Sequence, residues 1–355
     1  HTRGFSEARN ELLLHGSPTA TIAPQLSKMK ALATQERASV QLLDFFKADV
    51  ATTRDRWPQW VGNSLANGAR LTELPSADVL RGCFAGRPAV LVSSGPSLEK
   101  NLHLLADVED RMVVIAVNRS VAMMTERGIR ADITVAMESL ERVSVQHLQT
   151  ASVESTPTLV GRPSLDPAFF EVPCARRFLY SDHSPHELFL ADLAQVRLPT
   201  FPAASVAHVG LQLAAYMGCS QIVLVGQDLA LRDGAMYGAT DPDRAAGEGH
   251  THQTLTVPAY GGGEAVTTPV LATFLRSFEV LVGQLEGQIR VVNATEGGAA
   301  IAGTEERTLQ EAIDELAGEI FDVQATLAEA HEGGATGSVE SLEAGLEQCR
   351  AHLRT

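Results

Sequence analysis

Short, uniformly apolar runs separated by amphipathic segments constrain the fold of this chain more than any other feature. The runs AVLV, MVVIAV and ITVA lie between residues 89 and 136, and QIVLVG and IRVV follow later. A strand that is apolar on both faces belongs to a sheet covered on both sides, and helices between such strands make the sheet parallel. The sequence therefore predicts an α/β fold with a Rossmann-like, mostly parallel sheet and helices on both faces.

Three regions are predicted along the 355 residues. Residues 1–80 carry helical spacing, residues 81–305 contain the apolar runs, and residues 306–355 are helical again. Within the central region, SLEKNLHLLADVED predicts a helix, and residues 155–201 are less regular. Residues 232–263 are rich in Gly, Asp and His and predict a long loop, which in a domain is typically functional or disordered.

Composition and charge exclude several classes of function. A net charge of −15 argues against binding a nucleic-acid backbone, which needs a basic surface. No apolar run approaches the ~18–20 residues of a membrane span, and no signal-peptide pattern is present. Four widely spaced cysteines match no metal-binding pattern and are typical of thiols in a reducing compartment. We therefore expect a cytoplasmic protein without membrane insertion, although a chain that begins at His1 leaves a removed leader open.

The turn after the first apolar run is the strongest local signal for a ligand site. It comprises Ser94, Gly95, Pro96 and Ser97 and fits none of the patterns GxxxxGK[ST], GxGxxG or GxSxG. A helix that starts here offers unpaired amides and a partial positive charge, and a glycine lets the backbone approach a ligand closely. The position alone leaves two interpretations open, a ligand-binding turn and an ordinary tight connection.

Five segments in order resemble the motility-associated factor (Maf) family of bacterial flagellin glycosyltransferases. They are PAVLVSSGPSLEKNL, MVVIAVNRSVAMMTERGIRADITVAMES, SVAHVGLQLAAYMGCSQIVLVGQDLAL, VTTPVLATFLRSFE and VVNATEGGAAIAGT, and they span about residues 85–305. The central domain of that family is similar to bacterial sialyltransferases and to archaeal 6-hydroxymethylpterin pyrophosphokinases. The resemblance implies transfer of a nonulosonic acid, pseudaminic or legionaminic, from a CMP-activated donor to Ser or Thr of flagellin.

Two other functions fit the same resemblance. A pterin or nucleotide pyrophosphokinase on this scaffold would use ATP and Mg²⁺, and a flagellar assembly factor would keep the fold without activity. The long N-terminal region and the helical tail favour the Maf architecture over a compact pterin kinase. The partners expected are therefore flagellin and the CMP-sugar donor, which is a substrate, so no cofactor is expected.

Polar residues at the predicted strand ends complete the candidate donor site. By the resemblance, the turn from Ser94 to Ser97 holds the nucleotide, together with Asn118, Glu138, Gln227, Asp228 and Asn293. The carboxyl ends of parallel strands are where ligands bind in open α/β sheets. Each residue also has a structural interpretation: Asn118 as a helix cap, Glu138 as a solvated charge, Asp228 as a loop anchor. Glu138 stands where the family usually has Asp.

The long loop supplies the candidate catalytic residues His250, His252 and Tyr237. A histidine titrates near neutrality and suits removal of the acceptor proton, while a tyrosine hydroxyl can stabilise the departing phosphate. The alternative is that this loop only recruits flagellin. Asp241 and Asp243 spell a DxD motif in mid-loop, but sialyltransferase-like enzymes generally use no metal, so no metal site is expected.

Overall fold

The computed structural model describes residues 54–140, 145–149, 151–237, 254–316 and 318–352. Its strands are β1 (Pro88–Val92), β2 (Val113–Val117), β3 (Ile133–Val135), β4 (Thr158–Gly161), β5 (Arg176–Leu179), β6 (Gln221–Val225), β7 (Leu255–Pro258), β8 (Glu264–Thr267), β9 (Arg290–Asn293) and β10 (Glu305–Glu306). Eight of them form a parallel sheet in the order β10-β9-β6-β1-β2-β3-β4-β5, and β7 and β8 form a separate antiparallel pair. The predicted α/β class is confirmed.

Helices cover both faces of this sheet. They are α1 (residues 54–66), α2 (Arg70–Glu73), α3 (Leu98–Asn101), α4 (Val121–Glu126), α5 (Pro185–Leu193), α6 (Val206–Tyr216), α7 (Pro269–Leu285), α8 (Leu309–Leu316), α9 (Val323–Glu332) and α10 (Val339–His352). Val90 and Val92 of β1 pack into a core with α3, α5 and α8, whereas Leu91 packs into a second core with α6, α7 and α9. Alternate side chains of a strand point to opposite faces, so a two-sided core requires the uniformly apolar run.

The predicted helix SLEKNLHLLADVED is mostly a 3₁₀ helix. Only α3 is α-helical, and a 3₁₀ segment continues from Leu102 to Val108. Leu102, Leu105 and Val108 are all buried and recur every three residues. Three residues per turn is the period of the 3₁₀ helix, so this spacing keeps one apolar edge on the sheet.

Two segments predicted as irregular contain regular structure. Residues 155–201 contribute β4, β5 and α5, and the end of the predicted loop forms β7, which pairs with β8 just beyond the loop. In β7, half-buried Leu255 and Val257 alternate with exposed neighbours, which is the two-residue period of a strand covered on one face. Helix α9 packs on β5 and buries Val323 and Leu327, whereas α10 packs on α5 and buries Leu342. The proposed boundaries at residues 80 and 305 stay predictions.

The strand order reverses between β1 and β6, which is where open α/β sheets form their ligand crevice. From β1 the chain moves outward in one direction as far as β5, then returns to β6 on the other side of β1 and continues to β10. Ligands of open α/β sheets bind where the strand order reverses in this way, outside the carboxyl ends of the strands. None of the described helices is long and apolar enough to cross a membrane.

Candidate functional site

The turn after β1 and the residues after β6 form one hydrogen-bonded unit at the switch point. The Gly95 amide donates to the Gly226 carbonyl at 2.8 Å, and Ser93 Oγ donates to Gln227 Oε1 at 2.6 Å. These contacts join residues more than 130 positions apart in the chain. The structure therefore brings together two of the motifs that the sequence placed in the candidate donor site.

Asp228 anchors the turn through its carboxylate. It accepts from Ser97 Oγ at 2.6 Å and from the Ser97 amide at 3.2 Å for each carboxylate oxygen. Only 3% of Asp228 is exposed, and this burial raises the pKa of the carboxyl group against the opposing effect of the Ser97 hydrogen bonds. Of the roles predicted for Asp228, loop anchoring is the one seen in the structure, and contact with a ligand stays a prediction.

Two glycines allow this close packing around Asp228. A Cβ atom on Gly95 would lie 2.1 Å from Asp228 Oδ2, and one on Gly298 would lie 2.2 Å from the Asp228 carbonyl oxygen. Real Cβ atoms do not approach other heavy atoms so closely. The sequence analysis predicted that Gly95 lets a ligand approach the backbone. The structure shows that the packing of the chain against Asp228 already requires a residue without a side chain at this position.

Asn293 and the turn after β9 complete the wall beside β6. Asn293 is fully buried, and its Oδ1 accepts from the Thr295 amide at 3.2 Å. Thr295 Oγ1 in turn accepts from the Gln227 amide at 3.1 Å. Asn293 Nδ2 has no hydrogen-bond partner among the described residues. Asn293 therefore supports the residues that carry Asp228, and its contact with a nucleotide stays a prediction.

Ser94 is the residue of the turn whose polar groups remain for a ligand. The Gly95 and Ser97 amides already donate hydrogen bonds within the protein, and buried Pro96 has no amide hydrogen to donate. Ser94 is half-buried and makes no hydrogen bond within the described part of the chain. Its amide and hydroxyl are the donors that the turn can still offer.

Asn118 and Glu138 lie at the ends of the next two strands. Asn118 is buried and begins a 3₁₀ turn whose Ser120 Oγ donates to the Val92 carbonyl at 3.1 Å, so it stands beside the end of β1. Glu138 follows β3, two strand positions from β1, which is about 10 Å at the usual strand spacing. Glu138 Oε1 accepts from the Ser139 amide at 2.9 Å. Asn118 thus lies next to the turn, and Glu138 lies further out.

Tyr237 contacts a residue that the sequence analysis did not select. The guanidinium carbon of Arg119 lies 4.3 Å from the centre of the Tyr237 ring. Tyr237 is half-buried and belongs to the segment that follows β6. The other candidate catalytic residues, His250 and His252, lie outside the described residues, as do Asp241 and Asp243.

A second polar cluster lies at the ends of β4 and β5, under α1. Buried Arg162 forms ion pairs with Asp182 and, at 3.8 Å, with Glu187. The Trp60 ring of α1 lies 5.8 Å from the Arg162 guanidinium carbon. Helix α1 therefore closes this half of the carboxyl edge. Within the described ranges, no group of three or more His, Cys, Asp or Glu residues is placed to hold a metal ion.

Comparisons with known proteins give a family match and a solved structure of similar fold. Residues 62–234 match the family described as MptE-like, 6-hydroxymethylpterin diphosphokinase MptE-like. The fold is similar to the structure of a Maf glycosyltransferase from Magnetospirillum magneticum AMB-1, with a TM-score of 0.56 and 17% identity over 76% of this chain. The resemblance predicted from the motifs is confirmed. The matched region is 43% of that protein's length, and no curated protein gave a significant match.

Sequence reasoning missed Arg119 and Arg162 for different reasons. Arg119 directly follows Asn118, so the rule that selected strand-end residues could have included it. Arg162 follows β4, which was not predicted because its four residues lie between prolines in an irregular stretch. Since a strand end cannot be located without the strand, the sequence carried no usable signal for Arg162.

Proposed function

We propose that this protein is a cytoplasmic glycosyltransferase that moves a nonulosonic acid from a CMP-activated donor to Ser or Thr hydroxyls of flagellin. The observation that carries the proposal is the switch point between β1 and β6, where the turn from Ser94 to Ser97 is joined to Asp228 by hydrogen bonds. Its support is the likeness of the fold to a Maf glycosyltransferase and the order of the sequence motifs. Modified flagellin would be needed for flagellum assembly and motility.

The proposed reaction breaks the bond between the anomeric carbon of the sugar and the phosphate oxygen of CMP. Positive charge grows on the sugar and negative charge grows on the departing phosphate, while the acceptor hydroxyl loses its proton as it attacks. In this proposal Tyr237 stabilises the phosphate at the mouth of the crevice, and His250 or His252 takes the proton. Ser94 donates hydrogen bonds to the nucleotide from the floor of the crevice.

A pyrophosphokinase is the second candidate, and the family match over residues 62–234 favours it. That enzyme would bind ATP with Mg²⁺ and transfer a diphosphate to a pterin-like hydroxyl. Both candidates need a site for a nucleotide phosphate at the same strand ends. They differ in the base that is preferred and in the requirement for a metal ion.

Calorimetric titration of the whole chain with CMP, CDP and ATP, each with and without Mg²⁺, tests the proposal. We expect CMP to bind without metal and more tightly than ATP. Preference for ATP that depends on Mg²⁺ would replace the proposal with the pyrophosphokinase. If none of the three nucleotides binds, a flagellar assembly factor without activity is the function that remains. Transfer itself is measured as a mass increase of purified flagellin incubated with the CMP-sugar and the protein.

A further inference from the structure

Buried polar atoms without a hydrogen-bond partner gather beyond the carboxyl ends of β3, β4 and β5, beneath α1. Within the described part of the chain they include Ser139 Oγ, Arg162 Nε and both ring nitrogens of His186. Ser139 is fully buried, and only 4% of Arg162 is exposed. A buried polar atom that pairs with nothing raises the free energy of the folded chain, so a group of them at one place points to a ligand.

Hydrogen bonds and ion pairs join these groups into one cluster. Asn63 of α1 donates from Nδ2 to the carbonyls of Ser139 and Ser164, each at 3.1 Å. Ser164 Oγ donates to Glu187 Oε1 at 2.6 Å, and Arg162 Nε lies 3.8 Å from that oxygen, too far for a hydrogen bond. The cluster therefore runs continuously from the segment after β3 to α5.

His186 and two tryptophans of α1 form the outer side of the cluster. The His186 ring meets the Trp57 ring edge-on, with ring centres 5.0 Å apart, and the Arg162 guanidinium carbon lies 5.8 Å from the Trp60 ring centre. Burial lowers the pKa of His186, so its ring is neutral and offers one donor and one acceptor. All three rings are half-buried, so the cluster reaches the surface of the molecule beside the first turns of α1.

Charge decides which kind of ligand fits the cluster. Arg162 forms ion pairs with Asp182 and Glu187, so the cluster carries one positive and two negative charges. An anion would be repelled by the second carboxylate, whereas Arg162 Nε and Ser139 Oγ still need acceptors. Neutral hydroxyl or amide oxygens meet both conditions, and the apolar face of a sugar ring packs on an indole ring. The cluster is therefore suited to a carbohydrate that carries hydroxyl or acylamino groups.

The cluster lies along the same edge of the sheet as the turn after β1. β4 is the third strand from β1, so their carboxyl ends are about 14 Å apart at the usual strand spacing. A nucleotide held at the turn reaches this far only through a group attached to its phosphate, and in a CMP-activated donor that group is the sugar. The position thus agrees with the chemistry inferred from the charges.

We propose that the cluster beneath α1 binds the sugar of the donor by its hydroxyl and acylamino groups, with Arg162, His186 and Ser139 forming the hydrogen bonds. This inference rests on the proposed function for the identity of the donor. The Trp57 and Trp60 rings pack against C–H groups of the sugar. The carboxylate of a nonulosonic acid is attached to its anomeric carbon, so it stays at the phosphate end of the donor, away from the two carboxylates of the cluster.

The test uses two variants that remove unpaired polar atoms and little else. His186→Phe keeps a flat ring against Trp57, and Ser139→Ala keeps the backbone that α1 contacts. Neither substitution removes a side-chain hydrogen bond seen among the described residues, so the free energy of unfolding should be unchanged or higher. A group that only stabilises the fold would instead lower it when removed. Urea denaturation measures this difference.

The contribution of the sugar is measured by comparing each donor with free CMP. Dissociation constants for CMP, CMP-pseudaminic acid and CMP-legionaminic acid are determined by calorimetry, without flagellin. We expect the parent to bind one of the two donors more tightly than CMP. Loss of a hydrogen bond should weaken binding of that donor by about three- to tenfold in each variant, while CMP affinity changes less than about twofold.

His331→Phe is the matched control. The His331 ring of α9 meets the Phe178 ring edge-on with ring centres 5.4 Å apart, much as His186 meets Trp57, and burial also lowers its pKa. Phe178 belongs to β5 itself, so this contact lies on a face of the sheet and not at its carboxyl edge. We expect parental affinities for CMP and for both donors in this variant.

The outcomes separate this inference from the proposed function. Loss of the preference for the donor over CMP in both variants, at undiminished stability, supports the inference. If His186→Phe and Ser139→Ala keep the parental preference, the sugar contact is wrong while the glycosyltransferase proposal stands. If both variants are less stable and bind CMP and the donor equally less well, the unpaired atoms serve the folded chain, and the inference is again wrong. A parent that binds ATP with Mg²⁺ and neither donor overturns the proposed function and this inference together.

Discussion

Gly95 shows most clearly how one residue serves the folded chain and the site together. A Cβ atom on Gly95 would lie 2.1 Å from Asp228 Oδ2, whose carboxylate is held by the hydrogen bond from Ser97 Oγ, and 2.5 Å from the carbonyl oxygen of Gly226, which belongs to the backbone. We expect Gly95→Ala to lower the free energy of unfolding by about 1–3 kcal/mol, as overpacking of a buried site does. Urea denaturation measures this. Lost nucleotide affinity in a Gly95 variant is therefore not evidence of a ligand contact by itself.

Gly62 provides the control for this prediction. It lies in α1, and a Cβ atom there would meet nothing within 4 Å. Because alanine is the better helix former, Gly62→Ala should leave stability unchanged or raise it by up to about 1 kcal/mol. Equal stability of Gly95→Ala and the parent would show that the turn adjusts easily, and the close packing around Asp228 would then lose its significance.

At the scale of elements, the docking of α1 decides how much of the carboxyl edge is open. Asn67, just after α1, donates from Nδ2 to the carbonyls of Pro163 at 2.9 Å and Leu165 at 2.8 Å, and all these groups are buried. We expect Asn67→Ala to cost about 2–3 kcal/mol, because two buried acceptors lose their donor. Amide hydrogen exchange should show faster exchange in α1 while β1, β2 and β6 keep their protection.

Leu65→Ala is the control for the docking of α1, since 57% of Leu65 is exposed and the substitution removes little buried area. Its exchange pattern should match the parent. If Asn67→Ala instead loses protection from hydrogen exchange uniformly over the sheet, α1 and the sheet unfold as one unit. The view that α1 docks on the sheet as a separate element would then be wrong.

The elements also show why some of the fold could be predicted from sequence and some could not. β1, β2, β6 and β9 are buried on both faces, so each produced a uniformly apolar run of the kind that predicts a buried strand. β4 and β5 have four residues each, and β5 begins with two arginines, so their local pattern was too short to separate from a loop. The candidate site could also be predicted only in part. The strand ends led to the choice of Ser97 and Asp228 as site residues. Their contact with each other could not be predicted, because it depends on tertiary packing between residues 131 positions apart.

At the scale of the whole molecule, two buried groups give the stability opposite dependences on pH. His208 of α6 accepts the Ser205 amide on Nδ1 at 3.0 Å and donates from Nε2 to the Phe274 carbonyl at 3.0 Å, and burial lowers its pKa to about 4. Burial raises the pKa of Asp132 to about 6. The unfolded chain therefore binds more protons at His208, and the folded chain binds more protons at Asp132.

The sign of each contribution follows from these pKa values. Stability from a neutral His208 is present above its ordinary pKa of 6.5 and is lost as the pH falls towards 4. Stability from a protonated Asp132 is present below its ordinary pKa of 3.8 and is lost as the pH rises through 6. Between pH 4 and 6 the two contributions oppose each other, so the parent should show a shallow dependence there.

A variant that lacks one of these two groups should show the pH dependence that the other group causes. In His208→Gln, the free energy of unfolding should rise relative to its value at pH 7 as the pH falls from 6 to 4, because only the Asp132 contribution remains. In Asp132→Asn, the free energy of unfolding should fall more steeply than in the parent as the pH decreases, because only the His208 contribution remains. The pKa shift of His208 corresponds to a total loss of up to about 3 kcal/mol. Urea denaturation at half-unit steps from pH 4 to 7 measures the slopes, which stay informative even though each variant also loses hydrogen bonds at every pH. Parallel slopes in the parent and both variants would show that neither group controls the stability of the folded chain in acid.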